Sequence, residues 1–207
     1  MASKTNEGSG ASTNAAGMPA NGLAEQLEVR SEEYLCYCQS TLPSAERHTT
    51  WSRLYAASQK LSQAVRENTV ADMVLEIASN FMGCEEVAIL RLDADYKQIS
   101  FLSGVGVTGK HRHALQSHTE QLIAEIQRGQ VRIVNNKVPG DELLASLGIT
   151  GLIPLSQGHD AEGAIVFFNL LPQRQGFDSR DRELMGLLAI YVGPSLFAPQ
   201  ETSGRIR

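Results

Sequence analysis

At Gly83 the hydrophobic rhythm of the chain changes from that of a helix to that of a strand. Two strand-like runs follow, EVAILRLD (86–93) and QISFLSG (98–104), with only ADYK between them. Four polar residues can close an antiparallel hairpin, but they cannot carry the long crossover that parallel neighbours require. Upstream, Trp51, Leu54, Tyr55, Ser58, Leu61 and Val65 mark one helical stripe, begun after Pro43 with Ser44 as cap. Val70, Val74, Ile77 and Phe81 mark a second, capped by Thr69, with Asp72 in its first turn and Gly83 as its stop. Downstream the pattern predicts a helix over 113–129, a strand over 131–135 (VRIVN), a short helix over 140–148 and strands over 151–157 and 164–171 closed by GHDAEG. A last helix, capped by Asp178 or Ser179, carries Leu184, Leu187, Leu188, Tyr191 and Leu196 on one side. Strands that follow one another twice without a helix between them do not fit a parallel doubly wound sheet. The expected fold class is α+β, an antiparallel sheet with helices packed on it.

The chain has 207 residues, of which 42% are hydrophobic, enough for one well-cored domain and spare length. Its formal charge of −5, with no run of Lys and Arg, argues against nucleic-acid binding. No apolar run approaches the roughly 20 residues that span a bilayer, and the N-terminus lacks the pattern of a signal peptide, so a cytoplasmic protein is expected. Residues 1–22 hold almost no large apolar side chain and read as a disordered tail. Residues 23–43 offer an amphipathic helix (Leu23, Leu27, Tyr34, Cys38) and a linker, 44–197 the domain, and 198–207 a C-terminal tail. Cys36, Cys38 and Cys84 form neither a CxxC pair nor a Cys/His ligand set. A redox role for Cys36 and Cys38 stands beside their commoner role as small hydrophobes.

SGVGVTGKHRH (103–113) imitates a phosphate-binding loop, with G-x-x-x-x-G-K from Gly104 to Lys110. A true loop of that type needs a Ser or Thr after the Lys to hold Mg²⁺, and here His111 stands there. A dinucleotide fingerprint needs an acidic residue at the end of the next strand, where this chain has Asn135. The glycines are better explained as turn residues.

Residues 45–197 resemble a GAF domain. The resemblance is carried by LEIASNFMGCEEVAILRLDADYKQISFLSGVG and by GITGLIPLSQGHDAEGAIVFFNLLPQRQGFDSRDRELMGLLAIYVGPSL, with Pro154, Leu155, Gly163, Phe177 and Asp181 at the family's usual places. It implies a sheet of five or six strands with the first, second and last helices on one face. On the other face it implies a small-molecule pocket bounded by 102–118, 131–147 and the strand at Ile153. The implied pocket candidates are Leu102, His111, Leu115, His118, Ile133, Leu143 and Leu147, with core packing the alternative role for the apolar ones. No cofactor is named. Members that bind cyclic nucleotides carry an Asn-Lys, a Phe and an Asp-Glu pair. Here Asn169, Phe177 and Asp181 remain, but Leu170 and Arg182 replace the Lys and Glu. The cysteines lie outside the pocket segments, which argues against a bilin and against methionine sulfoxide reduction.

His111, His113 and His118 crowd one helix start. Metal or haem ligation is weighed there against a solvated cluster that, with Lys110 and Arg112, could take a small oxyanion. No nucleophile, base and oxyanion set stands out, so no enzyme is expected. The expected function is that of a regulatory or sensory module without a fused output domain, binding a small ligand or a signalling protein. The alternative is a pure interaction module with a filled pocket. A homodimer through Trp51, Leu54, Tyr55 and Leu61 on the first helix and Leu184, Leu188 and Tyr191 on the last is the expected assembly, against the alternative that both stripes serve the domain's own sheet.

Overall fold

The computed structural model describes residues 44–67, 69–134, 139–157 and 160–197. The segments read as a tail (1–22), a helix and linker (23–43) and a C-terminal tail (198–207), together with Cys36, Cys38 and the side chains of Ser44 and Trp51, lie outside the described residues.

Helices α1 (Ser44–Glu67) and α2 (Val70–Met82) come first. Thr69 stands at the N-cap of α2, and its carbonyl accepts from the Met73 N–H at 3.0 Å, but its hydroxyl makes no capping bond. Gly83 ends α2 in the left-handed region at φ 65°, where the missing Cβ removes the steric cost. The hairpin follows as β1 (Cys84–Leu92) and β2 (Ile99–Val105), longer than the sequence pattern by two residues at its start.

The helix expected over 113–129 is two helices, α3 (Gly109–Ser117) and α4 (Thr119–Gln127), broken at His118. At the break the Ser117 hydroxyl donates to the His113 carbonyl and the Thr119 hydroxyl to that of Gln116, both at 2.9 Å. Side chains that bond their own backbone in this way compete with the helical ladder. Among the described residues of VRIVN, Arg132 and Ile133 form strand β3, and the Val134 N–H donates to the Thr150 carbonyl at 3.0 Å just beyond it. Then come α5 (Glu142–Ser146), β4 (Gly151–Ser156), β5 (Ala161–Leu170) and α6 (Ser179–Phe197).

The sheet order is β2-β1-β5-β4-β3, and every neighbouring pair is antiparallel. The three inner strands are apolar through their middles (Val87–Leu90, Leu152–Leu155 and Gly163–Phe168) because both faces are covered there. Alternation along each strand sorts the side chains into two cores. Val87, Ile89, Ile153, Ile165 and Phe167 join α1, α2 and α6 on one face. Ala88, Leu90, Leu152, Val166 and Phe168 join Leu115, Leu122, Ile126, Leu144 and Leu147 on the other. The expected α+β class, with helices on both faces of an antiparallel sheet, is what the structure has.

The start of α6 fixes the first core. Asp178 and Asp181 exchange hydrogen bonds, each carboxylate accepting the other's backbone N–H at 3.0 and 2.9 Å, a capping box. The Asp181 side chain is fully buried and pairs with Arg53 of α1 at 3.3 Å and with Arg174. Burial pushes the Cys84 thiol up to about 12, with the nearby Asp181 charge adding to the effect and Arg174 opposing it. A thiol held protonated and enclosed is a poor nucleophile. In a Cys36→Ser/Cys38→Ser variant, the remaining thiol is expected to ignore a thiol reagent in the native protein at mildly alkaline pH and to react fully in denaturant. Rapid native labelling would show that the α2–β1 junction opens.

The candidate pocket face

The glycine-rich segment does run from a strand into a helix, since β2 ends at Val105 and α3 begins at Gly109. The strand is an antiparallel edge strand, however, and Lys110 lies in the first turn of the helix rather than in a loop around phosphate. Thr108 is the N-cap of α3 and forms a capping box with His111. The Thr108 backbone N–H donates to His111 Nδ1 at 3.4 Å, and the Thr108 hydroxyl lies 3.3 Å from the same nitrogen.

The His111 ring lies flat on Phe168, centroids 4.3 Å apart at 20°, and its Nε2 is 3.6 Å from the Glu86 carboxylate on β1. Asn169 on β5 donates to that same carboxylate. In the first turn of α3, the Arg112 guanidinium sits 4.6 Å from the centre of the Phe101 ring.

The structure brings only some of the seven pocket candidates together. Leu115 and Leu147 are buried in the α3–α5 core, with Leu143 packed against it and His111 resting on one of its members. His118 turns back on its own helix, its Nδ1 3.1 Å from the Ala114 carbonyl. Leu102 and Ile133 go elsewhere. Leu102 is the extra residue between the Leu90–Phe101 and Ile89–Ser103 pairs, a bulge in the edge strand; it is 43% exposed and belongs to neither core. Ile133 pairs with Gly151 and packs against the opposite core, beside α1, α2 and α6.

Sequence reasoning missed two polar groups on this face. One is Glu86 with Asn169. The other is an ionic knot on β3, where Arg132 reaches Glu125 of α4 at 3.5 Å and also Asp141, just before α5. Both carboxylates are nearly buried, so the guanidinium between them offsets much of the cost of their burial. Charges at isolated strand positions carry no periodic signal, and only the unusual setting of Glu86 at the head of an apolar run could have marked it. The cyclic-nucleotide positions are taken up within the fold: Asn169 by Glu86, Phe177 by an edge-on contact with Phe167 at 5.5 Å, and Asp181 by its two arginines. Among the described residues, no three His, Cys, Asp or Glu side chains come together as metal ligands.

No protein-family model and no curated protein matches the chain. Among solved structures, it is similar to the GAF domain of an assigned sensor histidine kinase from Pseudomonas syringae pv. tomato (17% identity, 78% of this chain and 91% of that one, TM-score 0.49). It is also similar to residues 122 to 287 of a methyl-accepting chemotaxis protein (16% identity, 68% and 94%, TM-score 0.47). A third likeness is to the GAF3 domain of a Synechocystis protein in its photoproduct state (15% identity, 63% and 92%, TM-score 0.45). Likenesses of this size carry nothing about ligand, partner or activity. With five antiparallel strands and the first, second and last helices on one face of the sheet, as the sequence resemblance implies, the chain has a GAF-like fold.

Proposed function

We propose that this chain is a regulatory module that reads a state on the α3–α5 side of its sheet and passes it to contacts made by α1 and α6. The observation that carries this reading is the placement of neighbouring residues of β5 in different cores. Phe167 is fully buried with α1, α2 and α6, and Phe168 is fully buried beneath His111 and α3. Packed interiors transmit displacement because they have few voids to absorb it. A shift of α3 against Phe168 is therefore felt one residue away by the helical face. The input is a small molecule or a signalling protein, and the output is a helical interface, with a second copy of the chain as its first occupant. The reading assigns the chain no reaction of its own and a cytoplasmic setting. Among the described residues, no helix is long and apolar enough to cross a membrane.

The helical interface differs from the one the sequence suggests. Leu54, Leu61, Leu184, Leu188 and Tyr191 are all spent on the domain's own core, and among the described residues Tyr55 and Ile190, at 50% and 38% exposed, are the large apolar side chains that α1 and α6 leave outward. A second reading, a pure interaction module whose pocket is filled by its own side chains, is favoured by Leu115, Leu144 and Leu147, which bury against one another.

Thermal melting against a metabolite panel, paired with light scattering, tests both. A ligand at about a hundred times its Kd stabilises the folded state by about 2.7 kcal/mol. That corresponds to a rise of roughly 5–10 °C for a domain of this size. A stabilising metabolite supports the first reading, and an unresponsive dimer supports the second. A monomer at tens of micromolar that no metabolite stabilises sinks the proposed second-copy interface.

A further inference from the structure

We propose that His111 is a proton-operated latch on the first turn of α3. When neutral it closes the cap of that helix, and when protonated it releases the cap and pairs with Glu86. The inference rests on geometry that is independent of the regulatory reading.

His111 Nδ1 receives the Thr108 backbone N–H at 3.4 Å, and the Thr108 hydroxyl, which can donate or accept, lies 3.3 Å from the same nitrogen. A ring nitrogen that accepts has no proton, so the neutral ring carries its hydrogen on Nε2, toward the Glu86 carboxylate 3.6 Å away. Protonation places a hydrogen on Nδ1, which the Thr108 hydroxyl can turn to accept but the Thr108 backbone N–H cannot, so the backbone amide is the group that loses its partner. The capping bond is lost, and a cation now stands at the positive end of a helix. Opposing this, the ring gains an ionised partner in Glu86. Imidazole is the side chain whose charge ordinarily changes between about pH 5 and 8. Acid therefore exchanges one contact for another rather than removing support outright.

The surroundings permit this exchange and little else. Phe168 holds the ring in plane from β5, so motion is a slide across its face toward or away from Glu86. From β1 the facing charged group is Glu86. From β5 the facing groups are Phe168 and Asn169, neither of which titrates, and Asn169 steadies the carboxylate by donating to it. On its own helix Lys110 and Arg112 flank His111, and the Arg112 guanidinium is drawn off over Phe101. The ring is only partly enclosed, its side chain 19% accessible, so protons reach it without unfolding. Because α3 also supplies Leu115 to the buried core, loosening its first turn reaches the packing on that face of the sheet.

Nuclear magnetic resonance of the full-length chain tests the latch. The probes are the His111 ring nitrogens, the Thr108 amide and the Asn169 side-chain amide, followed from about pH 8 to about pH 5. At the upper end, Nδ1 shows the shift of an unprotonated ring nitrogen. As the ring protonates, the Thr108 amide proton moves upfield from loss of its acceptor, and the Asn169 amide moves on the same curve as Glu86 is re-engaged. His111→Gln keeps an acceptor three residues after the cap, as capping boxes commonly have, but does not titrate. In it both signals stay still over this range. Glu86→Gln leaves the Thr108 response and removes that of Asn169. The proposal is overturned by protonated Nδ1 at the upper end, by a Thr108 amide indifferent to ring protonation, or by the same movement in His111→Gln.

Discussion

Asp181→Ala is expected to lower the melting temperature by roughly 6–12 °C. The carboxylate is fully buried and serves three partners: Arg53 of α1 at 3.3 Å, Arg174 of the segment after β5, and the Asp178 backbone N–H at 2.9 Å. Arg53 also donates to the Phe81 carbonyl near the end of α2, so one acid ties together three helices and a loop. Breaking a buried ion pair by removing one partner typically costs about 3–5 kcal/mol. Each guanidinium here is about a quarter exposed and can regain water, which places the cost near the lower end. A loss of about 3 kcal/mol at 2–4 °C per kcal/mol gives the stated shift. Asp178→Ala is the comparison, since it removes the cap but leaves both arginines paired, and about 1 kcal/mol is expected. If the two variants melt alike, Asp181 is a capping residue only and the three-helix tie does not exist.

The elements were largely legible because their apolar spacing is set by burial, and burial is what the fold satisfies. Val74 and Ile77 pack inward as the helical stripe requires, and the adjacent strands at 86–104 form the hairpin. What failed did so for local reasons that periodicity does not record. Ser117 and Thr119 divert carbonyls at the α3–α4 break, an event of hydroxyl geometry rather than of apolar pattern. A single bulge at Leu102 and a strand of only two residues at Ile133 decide which face a side chain takes, and a one-residue slip reverses the answer. The polar pairs on the pocket face, Glu86 with His111 and Arg132 with Asp141, join residues distant or irregular in sequence, so only the folded chain shows them. The helical stripes posed a different difficulty. An apolar stripe announces that something covers it, and the same spacing serves a partner chain or the domain's own sheet.

Leu54 resolves that ambiguity and carries the largest effect expected here. Its side chain is 1% exposed inside the core shared by α1, α2 and α6, so a charge at this position does not meet a partner chain. Leu54→Glu removes the packing of a buried leucine, which on truncation alone costs about 2–5 kcal/mol. It then adds a carboxyl group with no cation provided for it, and such a group must either be buried charged at great cost or take up a proton. The sum exceeds the 4–5 kcal/mol that marks exceptional substitutions and is comparable to the whole stability of an ordinary domain. The variant is expected to lose its cooperative melting transition and much of its helical circular dichroism, rather than to fall apart into folded monomers. Tyr55→Glu and Ile190→Glu act on outward positions of the same helices, and both are expected to keep the fold. If the chain dimerises through this face, those two lower the mass seen by light scattering while the circular dichroism stays native. A folded, monomeric Leu54→Glu protein would contradict the burial of Leu54 and return the stripe to a partner.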